Sequence, residues 1–155
     1  MPVQKPGKSR QDYGTPPDLL AAVRERLCIV DFRCDLAADS TNRVCVPYIT
    51  EEQDSLVTDW PETKGGWCWL NPPYKDIEPW VAKAVASTTH CQTVVLVPAS
   101  VGSNWWKTYV EGFCYQLFLN PRVTFVGETA AYPKDCAILL YTNALLTGNQ
   151  VWRWK

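Results

Sequence analysis

One segment near the middle of the chain constrains the fold more than any other: residues 93–97 read Thr-Val-Val-Leu-Val, which is apolar at four successive positions. A strand with one face in water alternates apolar and polar residues, whereas a strand covered on both faces does not. The run therefore predicts a central strand of a parallel sheet, with helices packed on both sides. With 155 residues, 46% of them hydrophobic, the chain can bury such a core as one domain.

Helical and strand patterns alternate along the rest of the chain. A first helix is expected after Thr15, whose hydroxyl can cap it, with Pro16 in its first turn. Further helices are expected at residues 77–85 and 104–111. Strands are expected at residues 28–34, 67–70, 93–97, 115–119, 123–126 and 137–141. This order predicts an α/β fold with a mostly parallel central sheet and helices on both faces.

Charge and cysteine usage exclude several classes of protein. The net charge is −1, so no global positive field attracts nucleic acid and any such contact must be local. The seven cysteines lack paired spacing and only His90 could assist them, which predicts reduced thiols and no metal site. No apolar segment of membrane length and no signal peptide are visible, so a cytoplasmic protein is expected. Residues 1–11 predict a flexible tail before a single domain at 12–155.

The tetrapeptide Asn71-Pro72-Pro73-Tyr74 directly follows the apolar residues 67–70. An adenine N6 amine or an amide nitrogen is a poor nucleophile, because its lone pair is delocalised. The Asn71 oxygen and a carbonyl of the rigid Pro72-Pro73 pair can accept its hydrogens and stabilise the developing positive charge. Tyr74 offers a ring for the planar group to stack on, worth roughly 1–3 kcal/mol for a nucleobase. The tetrapeptide therefore predicts N-methylation.

Two structural explanations compete with this interpretation. Asn and Pro also form ordinary turns, and Pro-Pro-x-Tyr segments serve as extended ligands of aromatic-lined domains. The position in mid-chain behind apolar residues argues against an exposed ligand. Asp35 and residues 98–100 also follow predicted strands, as Asn71 does. Ligands of parallel sheets bind beyond the carboxyl ends of the strands, so this convergence favours an active site.

Several further motifs occur in order along the chain. They are Tyr13-Gly14-Thr15-Pro16-Pro17, Asp35-Leu36-Ala37-Ala38-Asp39, Glu52-Gln53-Asp54-Ser55-Leu56 with Trp60, Trp69-Leu70-Asn71-Pro72-Pro73-Tyr74, Val94-Val95-Leu96-Val97-Pro98-Ala99, Trp105-Trp106 and Arg122-Val123-Thr124-Phe125. This series resembles the phage-type Dam family of DNA N6-adenine methyltransferases. The resemblance extends over nearly the whole chain, from Tyr13 to Tyr141.

The resemblance implies a Rossmann-like fold that binds S-adenosylmethionine and transfers its methyl group to N6 of adenine in DNA. It assigns the target base to Asn71, Pro72, Pro73 and Tyr74. It assigns the cofactor to Tyr13, Thr15, Pro16, Asp35, Ala37, Asp54 and Leu56. A base in duplex DNA must rotate out of the stack to reach such a pocket, at a cost of a few kcal/mol.

Each of these assignments has an alternative. A carboxylate at Asp35 suits the cofactor's ammonium and one at Asp54 its adenine amino group, but Asp35 could instead cap a helix and Asp54 be a solvated acid. Lys107 and Arg122 could contact DNA phosphates or be ordinary surface charges. A homodimer could supply further DNA-binding surface. Two other functions stay open, a protein glutamine N-methyltransferase and a non-catalytic nucleic-acid-binding module on the same fold.

Overall fold

The computed structural model describes residues 13–144 and 146–155. Within them the chain forms, in order, α1 (Pro17–Leu27), β1 (Cys68–Leu70), α2 (Glu78–Ala86), β2 (Thr93–Pro98), α3 (Asn104–Tyr109), β3 (Tyr115–Asn120), β4 (Cys136–Tyr141) and β5 (Gly148–Arg153). The three predicted helices are confirmed, as are the strands predicted around residues 68, 95, 117 and 139. The predicted tail at 1–11 lies outside the described residues.

The five strands form one open, mixed sheet in the order β1-β2-β4-β3-β5. β1 pairs with β2 in parallel and β3 pairs with β5 in parallel, whereas β4 is antiparallel to both β2 and β3. The expectation of a mostly parallel sheet is therefore wrong. The physical reason is the connection between β3 and β4, which contains no crossover helix, so the two strands return beside each other in opposite directions.

Two short segments extend the parallel end of the sheet beyond β1. Asp35 forms parallel bridges with Trp69 of β1 on one side and with Tyr48 on the other. The backbone N–H of Leu36 donates to the Trp69 carbonyl at 2.9 Å, and that of Ile49 donates to the Asp35 carbonyl at 2.8 Å. Asp35 therefore lies beside the end of β1, on a segment that continues the sheet.

The strand predicted at residues 28–34 is wrong, although its end leads into this bridge. Cys28 is the C-cap of α1 in the left-handed conformation, with φ 55°. Val30 is 97% exposed and lies in a bend, not in a strand. The segment makes its first sheet contact at Arg33, whose N–H donates to the Trp67 carbonyl at 2.8 Å.

The core lies on both faces of β2 and β4, whose residues are all buried. Val95 and Val97 of β2 pack in one apolar cluster with residues of α2 and α3, and Val94 and Leu96 pack in the other with Leu19 of α1. The prediction of a central strand covered on both faces is confirmed. Its neighbour on one side is antiparallel, which the apolar run could not reveal.

Two other local expectations are wrong. Residues 123–126 form no strand but belong to a loop at 121–135, here called the strap, which joins β3 to β4. The N-cap of α1 is Pro16, without a side-chain hydrogen bond, so Thr15 does not cap the helix. The edge strand β5 was not expected, because four of its six residues are exposed and it lacks an apolar pattern.

The cysteines and the helices complete the description. Six of the seven cysteines are buried free thiols and Cys28 is an exposed one. Among residues 13–144 and 146–155, no group of three or more His, Cys, Asp or Glu side chains could hold a metal ion. No helix in the same residues has the length and apolar character needed to cross a membrane.

Candidate active site

The tetrapeptide Asn71-Pro72-Pro73-Tyr74 begins directly after β1, at the carboxyl edge of the parallel strands. Pro72 is buried, while the other three residues are partly exposed. Proline has a fixed φ and no N–H, so neither Pro72 nor Pro73 can extend the ladder of β1 through a backbone donor. The chain leaves the sheet at this corner, called here the 71–74 corner, and continues to α2.

Asn71 has one end of its amide bound and the other end free. Its Nδ2 donates to the Tyr13 carbonyl at 3.0 Å and to the Thr15 hydroxyl at 3.4 Å. A carbonyl only accepts, so this contact fixes which end of the amide is the NH₂ group. Asn71 Oδ1 is buried and has no hydrogen-bond partner among the described residues. A buried acceptor without a donor costs roughly 1–3 kcal/mol, so a donor from a bound molecule would stabilise this corner.

Tyr74 belongs to an aromatic cluster beside Asn71, which consists of Tyr13, Tyr74, Phe125 and Tyr132. The Tyr74 ring centroid lies 5.9 Å from that of Tyr13, 6.3 Å from that of Phe125 and 5.9 Å from that of Tyr132. The residue as a whole is partly exposed, but its hydroxyl is buried without a partner among the described residues. Burial raises the pKa of this phenol well above its ordinary value. The cluster thus offers aromatic surface next to a free amide oxygen.

The strap brings two members of this cluster to the corner. Phe125 is buried, and its ring centroid lies 4.7 Å from that of Tyr13. The N–H of Val126 donates to the Gly14 carbonyl at 2.9 Å, which ties the strap to the segment before α1. A Cβ on Gly14 would lie 3.1 Å from the Val126 Cβ, so glycine permits this close approach. Sequence reasoning missed Tyr132, because nothing in its local sequence separates it from an ordinary loop tyrosine.

Asp35 is a buried carboxylate close to the corner, with only 2% of its surface exposed. Its Oδ1 accepts the Ala37 N–H at 3.2 Å and its Oδ2 accepts the Val44 N–H at 3.0 Å. Burial raises its pKa to about 6, and these two hydrogen bonds oppose the rise. At neutral pH it is therefore a buried anion whose two side-chain hydrogen bonds come from neutral backbone groups. A cationic ligand group would relieve the cost of that burial.

One small cavity joins Asp35 to Asn71. Its volume is about 20 Å³, and it is lined by Tyr13, Thr15, Asp35, Ala37, Asn42, Val44, Trp69 and Asn71. Four of the predicted cofactor residues therefore meet at the amide of the 71–74 corner. Asn42, Val44 and Trp69 were not predicted; Val44 reaches the cavity because its N–H binds Asp35. Two larger cavities, of about 290 and 320 Å³, include neither Asn71 nor Asp35 in their linings.

The remaining predicted cofactor residues lie outside the lining of this small cavity. Pro16 caps α1 next to Thr15 and accepts the N–H groups of Leu19 and Leu20 through its carbonyl. Asp54 is exposed, has φ 54°, and accepts the Leu56 N–H at 3.1 Å through its carboxylate. The structure therefore does not bring Pro16, Asp54 and Leu56 into direct contact with the Asp35 carboxylate.

The two predicted DNA-contacting residues lie apart from the corner. Lys107 is exposed on α3 and lines the cavity of about 290 Å³, together with Glu111 and Gln116. Arg122, at the start of the strap, forms an exposed ion pair with Asp135 at 2.9 Å. Each is accessible to a polyanion, although both have a carboxylate nearby.

A strand-end amide with a free oxygen, an aromatic cluster and a buried carboxylate lie together at one edge of the α/β sheet, an arrangement compatible with a methyltransferase that acts on a planar nitrogen. Comparison with known proteins identifies the family within that class. The chain belongs to the DNA N-6-adenine-methyltransferase (Dam) family, whose profile matches residues 3–144. It is therefore an adenine-specific DNA methyltransferase, as its motifs predicted.

Two phage relatives carry the same description. The chain is 34% identical over 131 residues to the DNA N-6-adenine-methyltransferase of Haemophilus phage HP1 (strain HP1c1), covering 83% of this chain and 74% of the relative. It is 30% identical over 102 residues to that of Escherichia phage T1, covering 65% of this chain and 41% of the relative. No solved structure matches the chain significantly.

Proposed function

We propose that the enzyme takes the methyl group from S-adenosylmethionine and adds it to N6 of an adenine rotated out of the DNA stack, on a Rossmann-like variant of the α/β fold. The observation that carries this proposal is the free, buried oxygen of Asn71. An adenine amino group would donate one N–H to that oxygen. The bond favours a tetrahedral nitrogen and stabilises the positive charge that develops on it during transfer.

The amide of Asn71 is suited to this task because it is already oriented. Its two donor contacts, to the Tyr13 carbonyl and the Thr15 hydroxyl, hold the NH₂ end away from the substrate. The oxygen therefore needs no reorganisation when the base arrives. Preorganised groups of this kind are worth about 2.7–4 kcal/mol in transition-state stabilisation when one is removed from an oxyanion hole.

The rest of the 71–74 corner would hold the base. The backbone of Pro72 and Pro73 is fixed by the proline rings, so a carbonyl of this pair can accept the second N–H of the amino group. The ring of Tyr74 would stack on the adenine, worth roughly 1–3 kcal/mol. That gain offsets part of the few kcal/mol needed to unstack and unpair the base.

The carboxylate of Asp35 suits the ammonium group of S-adenosylmethionine. This cofactor carries an ammonium group, and Asp35 is a buried carboxylate with a raised pKa that a cation would stabilise. When bound, S-adenosylmethionine supplies an electrophilic methyl group on a positively charged sulfur. Tyr13, Thr15 and Ala37 line the same cavity and would position the cofactor against the corner, since alignment of the reacting atoms is the main contribution left to the protein.

The remaining sequence assignments complete the proposal. Pro16, beside Thr15, would contact the cofactor through the start of α1, and Asp54 and Leu56 would meet its adenine ring. Lys107 and Arg122 would contact DNA phosphates. A homodimer would enlarge the DNA-binding surface, and a phage-type enzyme of this kind would act in the host cytoplasm.

Incubation with S-adenosylmethionine labelled in its methyl group and duplex DNA of varied sequence tests the proposal. We expect the label in N6-methyladenine, at a defined sequence context. Label in another base would contradict the assignment of Asn71 to an adenine amine, and label in protein glutamine would favour the protein methyltransferase. If calorimetry showed no binding of S-adenosylmethionine at micromolar levels, a non-catalytic module would be the better description.

A further inference from the structure

The side chain of Lys83, on α2, binds the backbone carbonyls of a neighbouring loop. This loop comprises residues 50–60 and is called here the Asp54 loop. The Lys83 ammonium donates to the Ser55 carbonyl at 2.7 Å and to the Thr58 carbonyl. The same nitrogen lies 5.2 Å from the centre of the Trp60 ring. One ammonium group therefore holds two carbonyls and one aromatic face of a segment without regular secondary structure.

The Trp60 side chain fixes the same point of the loop from a second direction. Trp60 is 3% exposed, and its Nε1 donates to the Ser55 carbonyl at 3.1 Å and to the Ser55 hydroxyl at 2.9 Å. A carbonyl has two lone pairs, and both of those on Ser55 are used by Lys83 and Trp60. Ser55 itself is 3% exposed, so its two hydrogen bonds with Trp60 are shielded from water.

These anchors maintain an unusual backbone conformation at the tip of the loop. Asp54 has φ 54°, a left-handed conformation that is uncommon for residues other than glycine and persists only where its surroundings hold it. Its carbonyl accepts the N–H groups of Val57 and Thr58 and the Thr58 hydroxyl. Because Lys83 binds the Thr58 carbonyl, it holds the residue that closes this turn.

The Asp54 loop lies at the rim of the proposed cofactor site. Residues 47–49, which lead into it, pair with Asp35: the Asp35 N–H donates to the Pro47 carbonyl at 3.1 Å and the Ile49 N–H to the Asp35 carbonyl at 2.8 Å. This pairing is parallel to β1, so the loop leaves the sheet at the same carboxyl edge as the 71–74 corner. Ligands of α/β sheets bind in the crevice at that edge.

We infer that Lys83 is a positioning residue for the methyl-transfer reaction, which holds the Asp54 loop in the shape that receives S-adenosylmethionine. The inference rests on the proposed function, in which the cofactor binds at Asp35 and its adenine meets Asp54 and Leu56. A lysine suits this role because its ammonium has three donors and can serve two carbonyls at once. Burial lowers the Lys83 pKa, while the Asp59 and Asp54 carboxylates oppose that shift. Without the anchor, ordering of the loop would be a cost of cofactor binding.

Steady-state kinetics of Lys83→Met, with each substrate varied at saturating levels of the other, test the inference. We expect the KM for S-adenosylmethionine to rise about fivefold or more, the lower end of typical coupling between sites. The KM for DNA and the kcat at saturation should stay near the wild-type values. Lys64→Met is the matched control, because Lys64 is exposed in a turn before β1, at the opposite end of that strand from Asn71.

Trp60→Phe provides a second test that does not change Lys83. It removes the indole N–H from Ser55 while keeping an aromatic ring beneath the ammonium, so it should raise the same KM selectively. If Lys83→Met proves unfolded in thermal melts, the result with Trp60→Phe decides. The positioning role would be overturned if both variants kept the wild-type KM for S-adenosylmethionine. It would also be overturned if kcat fell and both KM values rose to a similar extent. Failure of the wild-type protein to bind S-adenosylmethionine would instead overturn the proposed function, and this inference with it.

Discussion

The Nδ2 atom of Asn71 lies 3.0 Å from the backbone carbonyl oxygen of Tyr13, to which it donates a hydrogen bond. This contact joins the segment before α1 to the end of β1. It also fixes the orientation of the amide and leaves its oxygen without a partner among the described residues. The first prediction follows from these separate roles of the two ends of the amide.

Asn71→Ala is expected to lower kcat by about 10²–10³, the effect of removing one preorganised group that stabilises developing charge. Binding of S-adenosylmethionine should stay near the wild-type level, since Asp35 is unchanged. Asn71→Asp should also be impaired, because a carboxylate has acceptors but cannot donate to the Tyr13 carbonyl. Initial rates of methyl incorporation check both variants, with Asn143→Ala, in the turn after β4, as a control. Wild-type turnover by Asn71→Ala would remove this side chain from the mechanism.

Tyr74→Phe is expected to raise the stability of the protein, whereas Tyr74→Ala is expected to weaken its capture of the target base. The phenylalanine variant loses a buried hydroxyl that has no partner, so its free energy of unfolding should rise by about 1 kcal/mol. It keeps the ring and should keep base capture. The alanine variant loses the stacking surface and should weaken capture of the flipped base by roughly 1–3 kcal/mol. Urea unfolding and the fluorescence of 2-aminopurine at the target position measure the two effects; an unchanged fluorescence response in Tyr74→Ala would contradict the stacking role.

Asp35 should make stability depend on pH. Its pKa is about 6 in the folded protein and 3.8 as the reference value, so between these the folded state retains a proton that the unfolded state has lost. The stabilising contribution of the protonated form is complete below about pH 4 and is lost as the pH rises through 6, a change on the order of 3 kcal/mol. Urea unfolding from about pH 4 to 7 checks this. The free energy of unfolding of the wild type, minus that of Asp35→Asn, should fall as the pH rises. A difference independent of pH would show that the pKa of Asp35 is not raised in the folded protein.

The same ionisation should control cofactor affinity in the opposite direction. Because only the carboxylate attracts an ammonium group, the affinity for S-adenosylmethionine should fall as the pH drops below about 6. Asp35→Asn should bind weakly at neutral pH and lack this dependence. Calorimetric titrations at several pH values test both statements. Equal affinity of the two proteins at neutral pH would exclude contact between Asp35 and the ammonium.

The ion pair between Arg122 and Asp135 gives a prediction for DNA binding. Both side chains are exposed, and such pairs contribute only about 0–1 kcal/mol, so Arg122 is readily released to a phosphate. Arg122→Met should weaken DNA binding similarly for all sequences and lower the slope of log K against log salt by about 1. Asp135→Asn should strengthen binding, because Arg122 loses its competing anion. An Arg122→Met variant with the wild-type salt slope would exclude a phosphate contact.

The sequence predicted the buried centre of the fold better than its edges. Residues 93–97 were recognisable as a central strand because burial on both faces leaves an uninterrupted apolar pattern. The same pattern says nothing about the direction of the neighbouring strand, so β4 was predicted as a strand but its antiparallel direction was missed. β5 was missed because an exposed edge strand needs no apolar residues. Residues 123–126 resembled a strand because Val123 and Phe125 are apolar and buried, but they are buried as part of the strap and not in the sheet.

The candidate site shows a similar division. Asn71 and Asp35 were predictable because each follows an apolar segment, and the sheet brings them to one cavity. Tyr132 was not, because its place beside Tyr74 depends on the course of the strap through space. Nor could the sequence show that Thr15 contacts Asn71 rather than capping α1, since the same hydroxyl can serve either purpose.

The three residues before Pro16 have a practical consequence for engineering this enzyme. Tyr13 and Thr15 accept from Asn71, and Gly14 accepts from Val126, so each supplies one oxygen to a partner far along the chain. A shortened version that starts at Pro16 would keep α1 to α3 and β1 to β5, and would still lose the groups that support the Asn71 amide and the strap. Deletions from the amino terminus should therefore stop before Tyr13, and a protein that folds after a deeper cut would be expected to be inactive.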